Sequence, residues 1–210
     1  MSILSLLASA QGTNNSRANV ELAKHISLTE NSLAVKELID NLFDKNKNIQ
    51  SDCIKTLCEL GYLKPELLTD YQDTFLKLLK SKNNRLVWGG MIALAAITDL
   101  RPAETFASLD EIMEAICKGT VITVDNGVKV LAKLNKHNDY FNTTDPLLAE
   151  ILWKCPIKQL PQYIEKVLAS ICSKNKEAYQ AIIHKRKPEC ENESQLKRLE
   201  KALKQIVKQT

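Results

Sequence analysis

Residues 36–60, 73–97 and 110–134 align without a gap when the chain is slid against itself by 37 residues. Few folds are open to a chain that repeats at this interval. A period of roughly 20 to 50 residues marks one supersecondary unit stacked on copies of itself, because a single unit cannot bury its apolar face alone. The first half of each segment carries an i, i+1, i+4 apolar set: Leu38, Ile39, Leu42, then Phe75, Leu76, Leu79, then Ile112, Met113, Ile116. That spacing gathers side chains on one face of a helix. The second half repeats the logic with Ile54, Leu57, Leu60, then Met91, Leu94, Ile97, then Val128, Leu131, Leu134, so each unit reads as a helical hairpin.

Two further features keep the same register. A small residue recurs at Cys53, Gly90 and Gly127. Glycine inside a helix costs about 1 kcal/mol relative to alanine, and close approach of two helices at that point explains its use. Leu63-Lys64-Pro65 lies 37 residues before Leu100-Arg101-Pro102, which places a Pro-containing turn between units. Thr69 with Gln72 and Ser108 with Glu111 have capping-box spacing, and Asp145 before Pro146 reads as an N-cap followed by a first-turn proline.

Past residue 134 the period weakens, although Leu160, Ile164, Leu168 and Ile171 still make a helical face. So do Leu196, Leu199, Leu203 and Ile206, with 175–187 as their partner helix. Residues 2–10 and 16–28 read as a degenerate opening pair. The expected fold is all-α: a right-handed α-solenoid of about six helical hairpins, one domain over 1–210, without a linker. Its best-defined repeats span 30–60, 67–97 and 104–134, and atypical capping hairpins span 1–28 and 145–208.

Composition supports a packed chain. Hydrophobic residues make up 44% and charged residues 26%, with six Gly and six Pro, which excludes disorder and low-complexity tails. The six cysteines form no CxxC pair and are spread over 210 residues, so they read as reduced thiols, with Cys53 and Cys117 on or near apolar faces. His25, His137 and His184 are scattered rather than set at i, i+4, so neither a metal nor another cofactor is expected. The opening MSILSLLASAQG lacks a basic start and has too short an apolar run for a signal peptide. No stretch reaches the roughly 20 apolar residues of a membrane span, so a cytoplasmic protein is expected.

Hairpins of this length resemble those of the HEAT and armadillo repeat class. Ile49, Cys53, Leu57 and Leu60 resemble the V-x3-A-x3-L-x2-L spacing of HEAT repeats, and Asp44 resembles the Asp found five residues before that Val. The pattern departs at the Arg that follows the Val, which is Gln50, Val87 and Val124 here, and at the Asp, which is Ser81 and Lys118 in the next units. The resemblance implies a scaffold whose stacked second helices line a concave surface that holds a peptide, a protein or a nucleic acid.

Trp88 and Ile92 point away from the Leu86, Gly90, Leu94, Ile97 face, whereas their repeat equivalents are the polar pairs Ser51/Lys55 and Asp125/Lys129. An apolar pair flanked by charge has the makeup of an interface hot spot, so Trp88, Ile92, Arg85, Lys55 and Lys129 are the expected partner-binding residues. Burial under a 135–145 loop or a second copy would explain the same pair. Residues 174–210 carry ten Lys and Arg against five acids, net +5. Lys185, Arg186, Lys187, Lys197, Arg198 and Lys201 are therefore candidate contacts to nucleic acid or an acidic partner, although basic residues late in a helix also simply complement its dipole.

No Walker loop, GxGxxG, GxSxG or HExxH occurs, and Asp110, Glu111 and Glu114 sit where acids favour a helix N-terminus. The expected function is a non-enzymatic scaffold for a protein or peptide partner. The alternative is a DNA-binding solenoid similar to the alkylpurine DNA glycosylases, whose Trp and Asp cluster has no match here, since Ile92 and Ile157 stand four residues after Trp88 and Trp153. If the repeat is real, Leu57, Leu94 and Leu131 are equivalent core residues. Each change to Ala should then cost about 2 to 5 kcal/mol in chemical denaturation, and losses below about 0.5 kcal/mol for all three would remove it.

Overall fold

The computed structural model describes residues 2–13 and 15–208. They are helical and turn-linked throughout, and they group into two compact units, 1–127 and 128–210, divided inside a helix. No composition shift in the sequence announces that division.

The first unit opens with a 3-10 helix, Ile3–Leu6, and turns where a full α-helix over 2–10 was expected. Helix α1 (Arg17–Thr29) follows, then α2 (Ser32–Asp40) and α3 (Lys47–Leu63). Next come α4 (Gln72–Leu79) and α5 (Asn84–Ile97), then α6 (Pro102–Ala107), α7 (Leu109–Lys118) and α8 (Val121–Leu134). The Pro-containing turns are themselves helical: Pro65 starts a 3-10 helix, Pro65–Tyr71, and Pro102 starts α6. A repeat therefore has three helices, as some HEAT- and armadillo-class units do, instead of a plain hairpin.

Register is set by asparagine. Asn46 and Asn83, 37 residues apart, are the N-caps of α3 and α5, and each side chain accepts the amide two residues on, from Asn48 at 2.9 Å and from Arg85 at 3.1 Å. Asp44 and Ser81 play one role as well, since Asp44 Oδ1 accepts from Asn46 N and Ser81 Oγ from Asn83 N. Ser108 stands at the N-cap position of α7 as expected, but its hydroxyl and that of Thr69 make no capping bond and donate back to the carbonyls of Glu104 and Glu66. That local bond uses the hydroxyl that capping would need.

Of the eighteen apolar positions read from the repeat, every one is buried except Met113, which is half-buried. Leu57, Leu94 and Leu131 are at 0% exposure. Within the first unit α3 packs on α1 and on α5, and α5 packs on α4. The glycines explain how closely. A Cβ on Gly90 would lie 2.8 Å from Phe75 O, one on Gly89 2.0 Å from Ile54 Cγ1, and one on Gly127 2.4 Å from Ile116 Cγ1. Cys53 and Cys58 are buried in this packing, and desolvation pushes both thiols up to about 12. Cys117, on α7, is exposed, where an apolar face was expected.

The second unit holds α9 (Asn138–Lys154), α10 (Leu160–Val167) with a 3-10 extension to Ser170, α11 (Lys176–Arg186) and α12 (Glu193–Lys208). Helix α11 packs on α9 and α12. The expected 135–145 loop is largely helix, and α9 runs straight through Asp145 and Pro146, where an N-terminus was expected. Side-chain bonds outweigh the local signal. Asp145 Oδ1 accepts from Asn135 Nδ2 at 3.0 Å, Asn175 Nδ2 at 2.7 Å and the Tyr179 hydroxyl at 2.9 Å, while Thr144 donates to Asn135 Oδ1. Asn135, Thr144, Asn175 and Tyr179 are all buried. On α12 the inner face is Gln195, Leu199, Ala202 and Ile206, rotated from the expected set because Leu196 and Leu203 are only half-buried.

One half-buried carboxylate oxygen thus satisfies three donors that sit on buried side chains. Asp145→Ala should lower stability by about 3 kcal/mol or more in urea unfolding, since each orphaned buried donor costs about 1 to 3 kcal/mol. Asp145→Asn, which keeps an acceptor oxygen, should lose clearly less.

Candidate functional site

A groove of about 820 Å³ runs across α3 and α5 of the first unit. Its repeat logic is visible in the lining: Asn48, Arg85 and Ile122 occupy equivalent positions 37 residues apart, as do Ser51 and Trp88, and Lys55 and Ile92. These positions point outward because the opposite faces of α3 and α5 carry the buried Leu57, Leu60, Leu94 and Ile97. Gly89 and Ile54 form part of the floor, and Tyr62 and Glu59 stand at one side.

The wall is held from both ends. The N-terminal segment is tied down by Asp52: Oδ2 accepts from Ser9 N at 2.8 Å and Oδ1 from Asn19 Nδ2 at 2.8 Å, while Asn19 Oδ1 accepts from Ala8 N at 2.9 Å. Trp88 is half-buried, and its indole Nε1 donates to Thr120 Oγ1 at 2.7 Å, the residue directly before α8. The ring is thereby fixed as a side of the groove with its apolar area still partly open.

Electrostatically the lining is nearly closed. Lys55 pairs with Glu59 at 2.5 Å, one helical turn apart, and each Asp52 oxygen accepts one hydrogen bond. Arg85 is exposed and its guanidinium has no partner among the described residues. The Asn48 carboxamide is likewise exposed and uncommitted. With one donor pair and one acceptor, it matches the hydrogen-bonding pattern of a peptide group.

Of the expected partner-binding residues, Trp88, Ile92, Arg85 and Lys55 line this one groove. Lys129 falls in the second unit, half-buried and not free. Asn48, Ser51, Asp52 and Tyr62 were not among the expected residues. The 37-residue register that gave Trp88 and Ile92 also passes through Asn48 and Ser51, so that signal was available.

The basic C-terminal set is less open than its charge suggested. Arg186 is a correction: it is 7% exposed, donates from Nη1 to Leu152 O at 2.8 Å and to Cys155 O at 2.7 Å, and pairs with Glu189. It satisfies carbonyls at the end of α9 and cannot also reach a nucleic acid. Lys187 pairs with Glu200, Lys197 with Glu193, and Arg198 with Glu165 through two bonds of 2.8 and 2.7 Å. Lys185 and Lys201 remain exposed. Among the described residues, no three His, Cys, Asp or Glu side chains gather as a metal site would need.

No protein-family model matches the sequence, and no curated protein matches it. Solved structures do. The chain is similar to a designed armadillo repeat protein in complex with the peptide (KR)4, at 14% identity over 89% of this chain and 86% of that one, with a TM-score of 0.65. It is similar to computationally designed armadillo repeat proteins for modular peptide recognition, at 14% identity over 97% and 98%, with a TM-score of 0.61. An engineered protein matches at 15% identity over 98% and 95%, TM-score 0.63. The chain has an armadillo/HEAT-like helical-repeat fold, an all-α solenoid.

Arg186 offers a direct check on its structural role. Arg186→Ala should cost about 3 kcal/mol or more in thermal unfolding, because buried carbonyls lose their donor. Lys185→Ala and Lys201→Ala should stay within about 0.5 kcal/mol.

Proposed function

We propose that the chain is a non-enzymatic scaffold that holds a peptide, or an extended segment of a protein, in the groove across α3 and α5. One observation carries this reading: the groove presents a fixed aromatic wall, Trp88, beside apolar Ile92 and Ile54, and within the same lining an uncommitted carboxamide, Asn48. A rigid indole supplies apolar contact area at small entropic cost, and a free amide supplies the pairing that a peptide backbone needs. The solved repeat proteins with this fold add support, since one is in complex with a peptide and others were designed for peptide recognition. The reading assigns no catalytic chemistry to the groove. Among the described residues no helix is long and apolar enough to cross a membrane.

The proposal is tested by panning a random dodecapeptide library on phage against the intact chain, then measuring enriched peptides by fluorescence anisotropy. Trp88→Ala should weaken their binding about thirtyfold, the effect of losing a hot-spot residue of about 2 kcal/mol. Its thermal unfolding midpoint should stay near that of the parent chain. A loss of about 3 to 5 kcal/mol of stability with unchanged peptide binding would make Trp88 a packing residue and remove it from the site.

A further inference from the structure

Resting on the groove reading above, we infer that the groove selects an acidic peptide, one that sets a single carboxylate, or two, against Arg85 and an apolar side chain against Trp88 and Ile92. The inference follows from which charges in the lining are already used. Four charged residues line the groove: Asp52, Lys55, Glu59 and Arg85. Each Asp52 oxygen accepts one hydrogen bond from the N-terminal segment, from Ser9 N and from Asn19 Nδ2. Lys55 and Glu59 neutralise each other across one turn of α3. Among the described residues that leaves Arg85 as the charged side chain of the lining with no bonded partner, three residues before Trp88 and seven before Ile92, on the same side of α5.

A basic ligand of the kind bound by one of the similar designed proteins would have to share carboxylates that are already bonded, Asp52 to the N-terminal segment and Glu59 to Lys55. Bringing lysines or arginines here would set them against Arg85 and require the Lys55–Glu59 pair to open. An acid does the reverse. It meets a planar fork of donors that is matched to a carboxylate, next to a ring and an aliphatic chain that receive its neighbours.

A polyanion is disfavoured by the same inventory. Nucleic-acid binding draws its affinity from many cations that neutralise successive phosphates. Of the two cations in the lining, Lys55 is already paired with Glu59, which leaves Arg85. One guanidinium is enough for a carboxylate and too little for a phosphate backbone.

The experiment repeats the dodecapeptide selection on the parent chain and on Arg85→Glu, and adds two defined probes, the (KR)4 peptide and a 12-nucleotide oligo(dT), in anisotropy titrations. The parent chain should enrich Asp and Glu beside aromatic or aliphatic residues, and should bind those peptides more tightly than either probe. Arg85→Glu, an exposed change that should keep the parent's unfolding midpoint, should weaken acidic peptides about tenfold, remove the loss of their binding with added salt, and turn the enriched set toward Lys and Arg. Enrichment of basic peptides by the parent, an unchanged acidic preference in Arg85→Glu, or tighter binding of oligo(dT) would each overturn the acidic assignment. In the first two cases, loss of the selected peptides on Trp88→Ala would leave the groove reading standing. No enrichment on the parent chain at all would sink the groove reading, and the acidic assignment with it.

Discussion

The first unit depends on how closely α5 approaches its neighbours. At Gly90 the α4 backbone passes 2.8 Å from where a Cβ would stand, and at Gly89 the Ile54 side chain fills the same kind of space from the other side. Helices held this close bury Phe75, Leu78, Met91 and Leu94 completely. Each such side chain contributes about 1.5 to 3 kcal/mol of burial, and none of them could be covered by one hairpin alone. Two adjacent glycines weaken α5 as an isolated helix, yet the packing they permit more than offsets that loss. The groove follows from this approach, since its floor is the surface left where α3 and α5 meet.

Much of the fold was legible in the sequence because apolar spacing and the 37-residue shift agree with each other. Where two independent periodicities coincide, as at Leu57 and Leu94, burial is nearly forced. The errors fall where a local signal met a tertiary bond of greater weight. Asp145-Pro146 has every local mark of a helix start, but Asp145 is held by Asn135, Asn175 and Tyr179, and the helix continues through it. Thr69 and Ser108 have capping-box spacing, but their hydroxyls turn back onto carbonyls three and four residues earlier. Arg186 lies in a basic run, and charge composition carries no information on which member of a run will be folded inward.

The site was readable only as far as repeat comparison reaches. Trp88 and Ile92 stood out because their equivalents in flanking repeats are polar, and that contrast places them at the surface of a stacked helix. The role of Asp52 was invisible by the same method, since its partners, Ser9 N and Asn19, lie in the degenerate opening segment where no repeat register exists. The neutralisation of Lys55 by Glu59 is an i, i+4 spacing present in the sequence. Its meaning for the groove emerges only once Arg85 is seen to have no such counterpart.

Helix α5 carries two sets of obligations on opposite sides. Gly90, Leu94 and Ile97 answer to the packing of the unit, and any replacement there is judged by whether the chain folds. Arg85, Trp88 and Ile92 face the groove, where the proposed peptide would constrain them, and the indole bond to Thr120 ties this face to the framework through a side chain. Under the proposed function such a helix can evolve at two speeds: its inner face is held by folding while its outer face would change with the ligand. Descendants of this chain could therefore diverge on the groove face while remaining superimposable in backbone.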